Sequence, residues 1–345
     1  MNNPKINGLL WQVGGVIAAL AFTTLILVAT GAPPFSAYGE ILSGAFGSVT
    51  SIANVLKSWI PLMLVTAGLL ITFAAGLWNI GVEGQIIVGA IFTTGILKLL
   101  QDSPVPPALI LVLGILAGMV GGAVWASLAG ALKTFGGVNE IFGGLGLNFV
   151  ATALSIWLIF GPWKRPGVGS MSGTEPFDPK LWLPQFPGFT LSPVGLVLAI
   201  VAAVVVYFLL QGTYFGLRLK AVGKNIHAAY LLGIPTWQYS MVAFALCGVF
   251  AGTAGAVQVM SVYHNLIPSI SSGYGYLGLM VAMLVNYQAL WAVPVALFFA
   301  ALNIGSIRLP INLKLDSSLS GVLQGTLVLF VMLVAGARQK WGKKS

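Results

Sequence analysis

Three polar side chains that can bind a solute or carry a proton lie in a short interruption between two apolar runs. The interruption, residues 76–85, reads GLWNIGVEGQ, and its polar residues are Asn79, Glu83 and Gln85. Its glycines break the helix, and non-helical backbone at membrane depth is tolerated only where protein or a water-filled cavity covers it. A carboxylate at that depth is a candidate functional group. The alternative is a turn at the cytoplasmic end of a span, with Glu83 facing water or paired with a lysine.

A basic block at residues 212–235 is the second stretch of unusual composition. It contains Arg218, Lys220 and Lys224 and no acidic residue, and long apolar segments flank it on both sides. Short loops rich in lysine and arginine stay in the cytoplasm, so this block predicts a cytoplasmic loop.

The same loop carries the signals of a short helix. Asn225 is a good N-cap residue, and residues 226–232 can form about two helical turns. Gly233 then supplies the left-handed C-cap position, and Pro235 stops the helix. Because so short a helix is not stable alone in water, it needs a surface to dock on. Two surfaces stay open at this point, the lipid headgroups of the membrane and a separate cytoplasmic protein.

Other polar residues are isolated from one another. Asn148 and Asn286 lie in or near apolar runs and are candidates to line a path for a hydroxylated, ring-bearing solute, or else to form interhelical hydrogen bonds. Glu140 is predicted to cap the helix that follows it, because the dipole favours an acid at a helix N-terminus. His227 and His264 lie far apart without an acid at ligand spacing, and the one cysteine lies in an apolar run. Neither a metal site nor a disulfide framework is therefore expected.

A nucleotide-binding loop is not expected on this chain. The one candidate, Gly223-Lys224-Asn225, lacks the upstream glycine and the following serine or threonine of a P-loop. No Ser/His/Asp or Cys/His arrangement suggests hydrolysis. If ATP drives this protein, its hydrolysis takes place on another chain.

Composition sets the class of protein that must position these residues. The chain has 345 residues, of which 58% are hydrophobic and 7% charged, and its mean hydropathy is +0.96. A soluble fold of this size cannot bury so much apolar surface, so the sequence predicts a polytopic membrane protein. The net charge of +9 does not indicate nucleic-acid binding, because the basic residues are scattered in loops and tails.

The apolar runs predict one transmembrane domain, residues 1–345, with about ten helical spans of roughly 20 residues each. Residues 161–192 are then an extracytoplasmic loop, and both termini lie in the cytoplasm with the basic loop. Glycines spaced four apart predict closely packed helices within one subunit. These glycines are Gly114, Gly118 and Gly122, then Gly248 and Gly252, then Gly321 and Gly325.

Several of these stretches resemble a known family. FGLRLKAVGKN at 215–225, with residues 228–229 and 232–234, is similar to the coupling loop of ABC-importer permeases that serve branched-chain amino acids, simple sugars and nucleosides. WNIGVEGQ at 78–85 is similar to the signature of the nucleoside and simple-sugar subgroup, which SGYGY at 272–276, ALFFAAL at 296–302 and LQGTL at 323–327 also fit. The resemblance covers residues 55–334. Residues 286–291 depart from it, since a turn with proline or glycine is expected there, and they leave the subgroup open.

The resemblance implies roles for individual residues. In this family the coupling loop sits in a groove of the ATPase subunit, which implies ATPase coupling for Arg218, Ala221, Gly223, Asn225, Ala228, Ala229 and Gly233. It also implies a broken helix near 78–85 beside the translocation path. The candidates for that path are Trp78, Asn79, Glu83, Gln85, Asn148 and Asn286.

The sequence therefore predicts an all-α permease subunit of an ABC importer in the inner membrane, for a nucleoside or simple sugar delivered by an extracytoplasmic solute-binding protein. Two permease subunits, identical or different, form the pore. ATP and magnesium bind to two ATPase subunits, so this chain carries no cofactor and is not an enzyme. The alternatives are a permease for branched-chain amino acids, a proton-coupled secondary transporter using Glu83 or Glu140, and a passive channel.

Overall fold

The computed structural model describes residues 17–333 apart from positions 19, 30, 32, 168–172, 286–287, 316–317, 320, 327 and 331–332. All regular structure in this part of the chain is helical, which confirms the predicted all-α class. In chain order the helices are α1 (Leu20–Ala29), α2 (Pro34–Phe46), α3 (Val49–Ala74), α4 (Val82–Leu100), α5 (Pro107–Thr134), α6 (Glu140–Phe160), α7 (Pro193–Gly212), α8 (Tyr214–Lys224), α9 (Ile226–Leu231), α10 (Thr236–Val257), α11 (Tyr274–Leu284), α12 (Ala289–Gly305), α13 (Arg308–Leu313) and α14 (Gly321–Phe330). A π-helical turn, Gln258–Tyr263, continues α10.

Seven helices of the described residues are long and apolar enough to cross a membrane. They are α3, α4, α5, α6, α7, α10 with its π-helical turn, and α12 with α13; the bent pair of α1 and α2 gives an eighth if it forms one span. Helix α11 is only about 16 Å long, roughly half of the hydrocarbon thickness. The count of about ten spans stays a prediction.

The chain divides into two compact units, Met1–Val55 with Leu297–Ser345, and Leu56–Ala296. In the first unit α2 packs against the end of α12 and against α13. Gly44 lies against the backbone of Gly305, where an added Cβ would be 2.7 Å from the carbonyl oxygen. Arg308 donates a hydrogen bond to the Ser43 hydroxyl at 3.3 Å, and Asn312 donates one to the Glu40 carboxylate at 2.7 Å.

The core of the second unit is a set of three helices, α4, α5 and α10, whose backbones meet at glycines. A Cβ on Gly248 would overlap the carbonyl oxygen of Gly122, and one on Gly252 would overlap that of Gly118. Small residues at such positions allow this close approach of helices. The prediction of packing within one subunit is confirmed for the glycines of α5 and α10, whereas Gly321 and Gly325 have no atom within 4 Å of an added Cβ.

The described part of the 161–192 loop is attached to the segment that follows α10. The backbone amides of Thr174 and Leu183 donate to the carbonyls of Leu266 and Met260, each at 2.9 Å. The Trp182 indole stacks on the His264 imidazole with 3.7 Å between the ring centroids. These contacts hold the segment between α10 and α11 against the loop.

Candidate functional site

The interruption predicted at 76–85 is present as residues 75–81, which are not helical and join α3 to α4. Gly76 has a positive φ of 72° and lies where α3 ends. Further along, Asn79 donates a hydrogen bond to the Cys247 sulfur at 3.1 Å. Cys247 lies near the middle of α10 (Thr236–Val257). The connection between α3 and α4 therefore packs beside the middle of α10 and not at its end.

Two amide side chains brace the interruption. Asn79 donates to the Gln85 oxygen at 3.1 Å, and Gln85 donates to the Asn79 oxygen at 2.9 Å. Their exposed fractions are 1% and 0%, so neither amide is accessible to a solute. Trp78 is 38% exposed and packs edge-on against Phe73 at 5.3 Å between ring centroids.

Glu83 is buried and caps a helix from a distant part of the sequence. Its Oε1 accepts hydrogen bonds from the backbone amides of Gly275 at 3.1 Å and Tyr276 at 3.2 Å, in the first turn of α11. Glu83 also lies in the first turn of α4, so two positive helix ends face one carboxylate, an arrangement that favours its negative charge. The alternative that Glu83 faces water or pairs with a lysine is wrong, because it is 4% exposed and bonded to these amides.

The second carboxylate oxygen of Glu83, Oε2, differs from Oε1 in its hydrogen bonding. Oε2 is buried and has no hydrogen-bond partner among the residues that the structure describes, while the Ser271 side chain lies beside the same carboxylate.

Asn148 on α6 connects both sides of the interruption. Its oxygen accepts from the Gly84 amide at 2.8 Å, and its nitrogen donates to the Ile80 carbonyl at 2.9 Å. A Cβ on Gly81 would be 3.1 Å from the Cα of Gly144, so α6 also packs closely against this connection. The interhelical hydrogen bonds considered for Asn148 are therefore present. Asn286 lies outside the described residues.

A cavity of about 320 Å³ opens beside Glu83 and Asn148. Most of its lining was not predicted from the sequence, although the serine-rich run at 269–272 before an apolar helix was an available signal. The other lining residues are Ile87, Leu145, Phe149, Thr152, Pro268, Ser269, Ser271, Ser272, Gly273 and Tyr276.

The serine-rich wall of the cavity is held by the π-helical turn. Gln258 donates to the Ile270 carbonyl at 3.3 Å, and the Tyr263 and Ser272 hydroxyls are 2.8 Å apart. Ser272 and Gly273 both have positive φ, 49° and 74°, which turns the chain into α11 and directs its first amides at Glu83.

The short helix predicted in the basic loop is present as α9, and its caps are the predicted ones. The Asn225 side chain accepts from the Ala228 amide at 3.0 Å, while the Asn225 amide donates to Ala221 at the end of α8. Gly233 has a φ of +77°. Asn225 therefore ends one helix and begins the next.

Helix α9 exposes its apolar side chains. Tyr230 is 70% exposed, Leu231 85% and Leu232 79%, while Ala229 is buried against the protein. Ala228 is also exposed. Arg218 on α8 lies over the Tyr214 ring, 4.4 Å from its centroid, and donates to the Tyr239 hydroxyl at 3.5 Å.

Helix α8 touches the interruption directly. A Cβ on Gly223 would overlap the carbonyl oxygen of Ala74, and one on Gly76 would be 2.9 Å from the carbonyl oxygen of Gly223. The basic loop and the start of the interruption are thus in backbone contact, with no side chain between them.

Glu140 is the first residue of α6 and lies in its first turn, where the helix dipole favours an acid, but, contrary to the prediction, it is not the N-cap. The N-cap is Asn139, whose side chain accepts from the Ile141 amide at 2.9 Å. Glu140 instead pairs with Lys133 at 2.6 Å. Within the described ranges no group of His, Cys, Asp and Glu side chains is placed to hold a metal ion.

Residues 51–332 match the family model for the branched-chain amino acid transport system / permease component. The glucose ABC transporter permease protein TsgB13 of Haloferax volcanii is 30% identical, over 92% of this chain and 85% of that protein. The guanosine ABC transporter permease protein NupP of Bacillus subtilis is 26% identical, over 98% of this chain and 97% of that protein. The nucleoside ABC transporter permease protein NupB of Lactococcus lactis is 26% identical, over 89% of this chain and 85% of that protein.

Proposed function

This chain belongs to the branched-chain amino acid transport system / permease component family, and from this premise we propose that it carries a nucleoside or a simple sugar into the cell. The predicted class is confirmed by the membership: the chain is a membrane permease subunit of an ABC transporter and not an enzyme, and ATP is hydrolysed on a separate subunit. The solute assignment is supported by the names of the glucose, guanosine and nucleoside permeases that it resembles.

The contact of Gly223 with Ala74 and Gly76 carries the mechanistic part of the proposal. It joins the surface helix α9, through α8, to the connection that leads to Glu83 and the cavity. A displacement of α9 is transmitted to that connection because no flexible side chain lies between the two backbones. In the proposed mechanism, ATP closes the ATPase dimer, α9 moves with it, and the path alternates between outward and inward access. ATP does this by favouring one of the two states.

The exposed apolar residues of α9 support an ATPase subunit as the occupant of its surface. Two ATPase subunits, with ATP and magnesium, dock on the α9 helices of two permease subunits. The coupling residues are Arg218, Ala221, Gly223, Asn225, Ala228, Ala229 and Gly233. Membrane lipid is the competing surface, and the docking experiment below separates the two.

The translocation path runs past Glu83 and Asn148, which line the cavity. Asn79 and Gln85 contribute by holding the connection in shape, and Trp78 packs at its start. Asn286 stays a predicted path residue outside the described part of the chain.

The proposed topology has about ten spans in the inner membrane, with both termini and the 212–235 loop in the cytoplasm. The 161–192 loop then faces the solute-binding protein on the other side. A cysteine at position 228 tests this orientation, because Cys247, the single native cysteine, is fully buried. In Ala228→Cys, a membrane-impermeant maleimide is expected to label the protein in inverted vesicles and not in intact cells. The reverse pattern would overturn the topology.

Transport itself is tested by reconstitution with and without the ATPase subunits. Accumulation of guanosine or glucose is expected only when the ATPase and ATP are present. Accumulation by the permease alone that collapses with an uncoupler would instead indicate the proton-coupled alternative. Equilibration without accumulation would indicate a channel.

A further inference from the structure

The Glu83 carboxylate has one oxygen that the protein uses and one that it leaves free. Oε1 receives two backbone amides of α11, whereas Oε2 is buried in the cavity wall with no partner among the described residues. A buried charged acceptor without a donor is costly, and such atoms in native proteins are usually completed by a ligand, an ion or water. The missing group is therefore a hydrogen-bond donor that enters the cavity.

The residues that line the cavity indicate which chemical groups the donor can have. Hydroxyl groups of Thr152, Ser269, Ser271 and Ser272 line the same cavity as Glu83, and each can donate and accept. A solute with several hydroxyls can therefore bond to Oε2 and to these hydroxyls at the same time.

We propose that Glu83 Oε2 accepts hydrogen bonds from the ring hydroxyls of a neutral polyhydroxylated solute. The inference rests on the proposed transport function and defines its solute class. The shared chemistry is a ring with neighbouring hydroxyls, found in the ribose of a nucleoside and in a hexose. A volume of about 320 Å³ is at the lower end of the roughly 300–1,000 Å³ of ligand pockets, which suits a small solute.

Because the two oxygens of Glu83 differ in their hydrogen-bond partners, a substitution can change Oε2 and keep the role of Oε1. In Glu83→Gln the side-chain carbonyl can still accept from Gly275 and Tyr276, so the cap of α11 is retained. The amide nitrogen replaces Oε2, and a charge-assisted acceptor becomes a neutral donor. Ser271→Ala is a milder second variant, which leaves the cap untouched and removes one hydroxyl beside the carboxylate.

The experiment measures uptake by cells that express the full chain with its ATPase, second permease subunit and binding protein. The nucleoside arm compares guanosine with dideoxyguanosine, which lacks both ribose ring hydroxyls. The sugar arm compares glucose with a deoxyglucose that lacks one. The arm that supports uptake identifies which source of hydroxyls the protein takes. Any preference of the binding protein cancels, because it is common to the wild type and the variants.

For the wild type, loss of the hydroxyls is expected to raise the half-saturating concentration. Glu83→Gln is expected to raise it about tenfold for the hydroxylated solute and to leave the deoxy analogue nearly unchanged, so the penalty for losing hydroxyls shrinks. Ser271→Ala is expected to reduce the ratio of the two half-saturating concentrations, deoxy analogue over hydroxylated solute, about threefold. The control Ser155→Ala, a buried hydroxyl on α6 outside the lining, should leave it unchanged.

Failure of the role proposed for Glu83 and failure of the proposed transport function give different results. If the wild-type complex takes up guanosine or glucose but both variants keep the full hydroxyl penalty, the role of Glu83 is overturned and the transport function stands. If the wild-type complex takes up neither solute, the proposed function fails.

Discussion

The connection between α3 and α4 and the surface helix α9 depart from ordinary burial in opposite directions. The connection and the first turn of α4 bury polar side chains, with Asn79 at 1% and Gln85 at 0% exposure, and α9 exposes apolar ones, with Leu231 at 85%. Buried polar groups need partners, and those of the connection and of this first turn find them inside the chain, except Glu83 Oε2. Exposed apolar groups in a cluster indicate a partner outside the chain. Function is thus indicated in one region by a single unpaired atom and in the other by uncovered surface.

Removal of the polar pairing that holds the connection should be the most disruptive change. Asn148→Leu leaves the Gly84 amide and the Ile80 carbonyl without partners, at about 1–3 kcal/mol each. We expect a fall in the thermal unfolding temperature of the purified protein and loss of uptake. Ser155→Ala on the same helix is the control and should unfold near the wild-type temperature. An unchanged unfolding temperature in Asn148→Leu would show that the connection does not depend on this residue.

The second prediction concerns the contact that joins the two regions. In Gly223→Ala the new methyl overlaps Ala74, which costs about 1–3 kcal/mol and separates α8 from the connection. Solute-stimulated ATPase activity of the assembled importer should fall about 5- to 150-fold by this cost, while insertion into the membrane persists. Gly212→Ala is a matched control, since its Cβ would be 3.8 Å from Phe208.

Gly233→Val tests the far end of α9. Open space surrounds this position, so the cost is only the left-handed backbone, about 1–2 kcal/mol, and coupling should weaken less than in Gly223→Ala. Normal coupling in both glycine variants would refute the docking role.

The next prediction distinguishes a role of Leu231 in docking from a role in the stability of the fold. Leu231→Ser should change the free energy of unfolding by no more than about 0.5 kcal/mol, because the side chain is exposed. Docking that buries this leucine would lose about 1.5–3 kcal/mol, so co-purification of the ATPase should fall about tenfold or more. Gln238→Ala, an exposed change at the start of α10, should have no effect. Full co-purification with Leu231→Ser would favour the lipid surface as the partner of α9.

The smallest expected effect is at the cap of α9. Asn225→Ala removes the acceptor for the Ala228 amide and costs about 1 kcal/mol, so coupling should fall a few-fold as the helix frays. Asn225→Asp keeps the acceptor and should restore most of it. Equal loss of coupling in Asn225→Ala and Asn225→Asp would indicate that the role of Asn225 does not depend on the helix cap.

The two regions also differ in how far the sequence predicted them. The caps of α9 rest on Asn225 and Gly233, which lie within a few residues of the groups they satisfy, so local rules found them. The cap of α11 comes from Glu83, 192 residues away from Gly275. Nothing local distinguishes that arrangement from a solvated turn, and the polar pattern alone indicated only that Glu83 is unusual.

Dependence on tertiary packing also explains the other differences between the sequence-based predictions and the structure. Asn148 and Asn79 are common residue types whose partners are set by tertiary packing, so the sequence indicated polar candidates without separating those that line the cavity from those that brace it. Gly223 was singled out through the family resemblance, but its contact with Ala74 depends on how α8 folds back. At Glu140 the dipole argument correctly placed an acid in the first turn of α6, but the cap comes from Asn139 and the carboxylate pairs with Lys133.

The glycine contacts among α4, α5 and α10 limit how this protein can change shape. Carbonyl oxygens of one helix fit against glycines of the next, at Gly118 with Gly252 and Gly122 with Gly248 between α5 and α10, and at Ile86 with Gly255 between α4 and α10. Sliding by a fraction of a turn would drive these oxygens into Cα atoms, so we expect shear along these helices to be blocked. Access to the solute is then expected to change at boundaries without such glycine contacts.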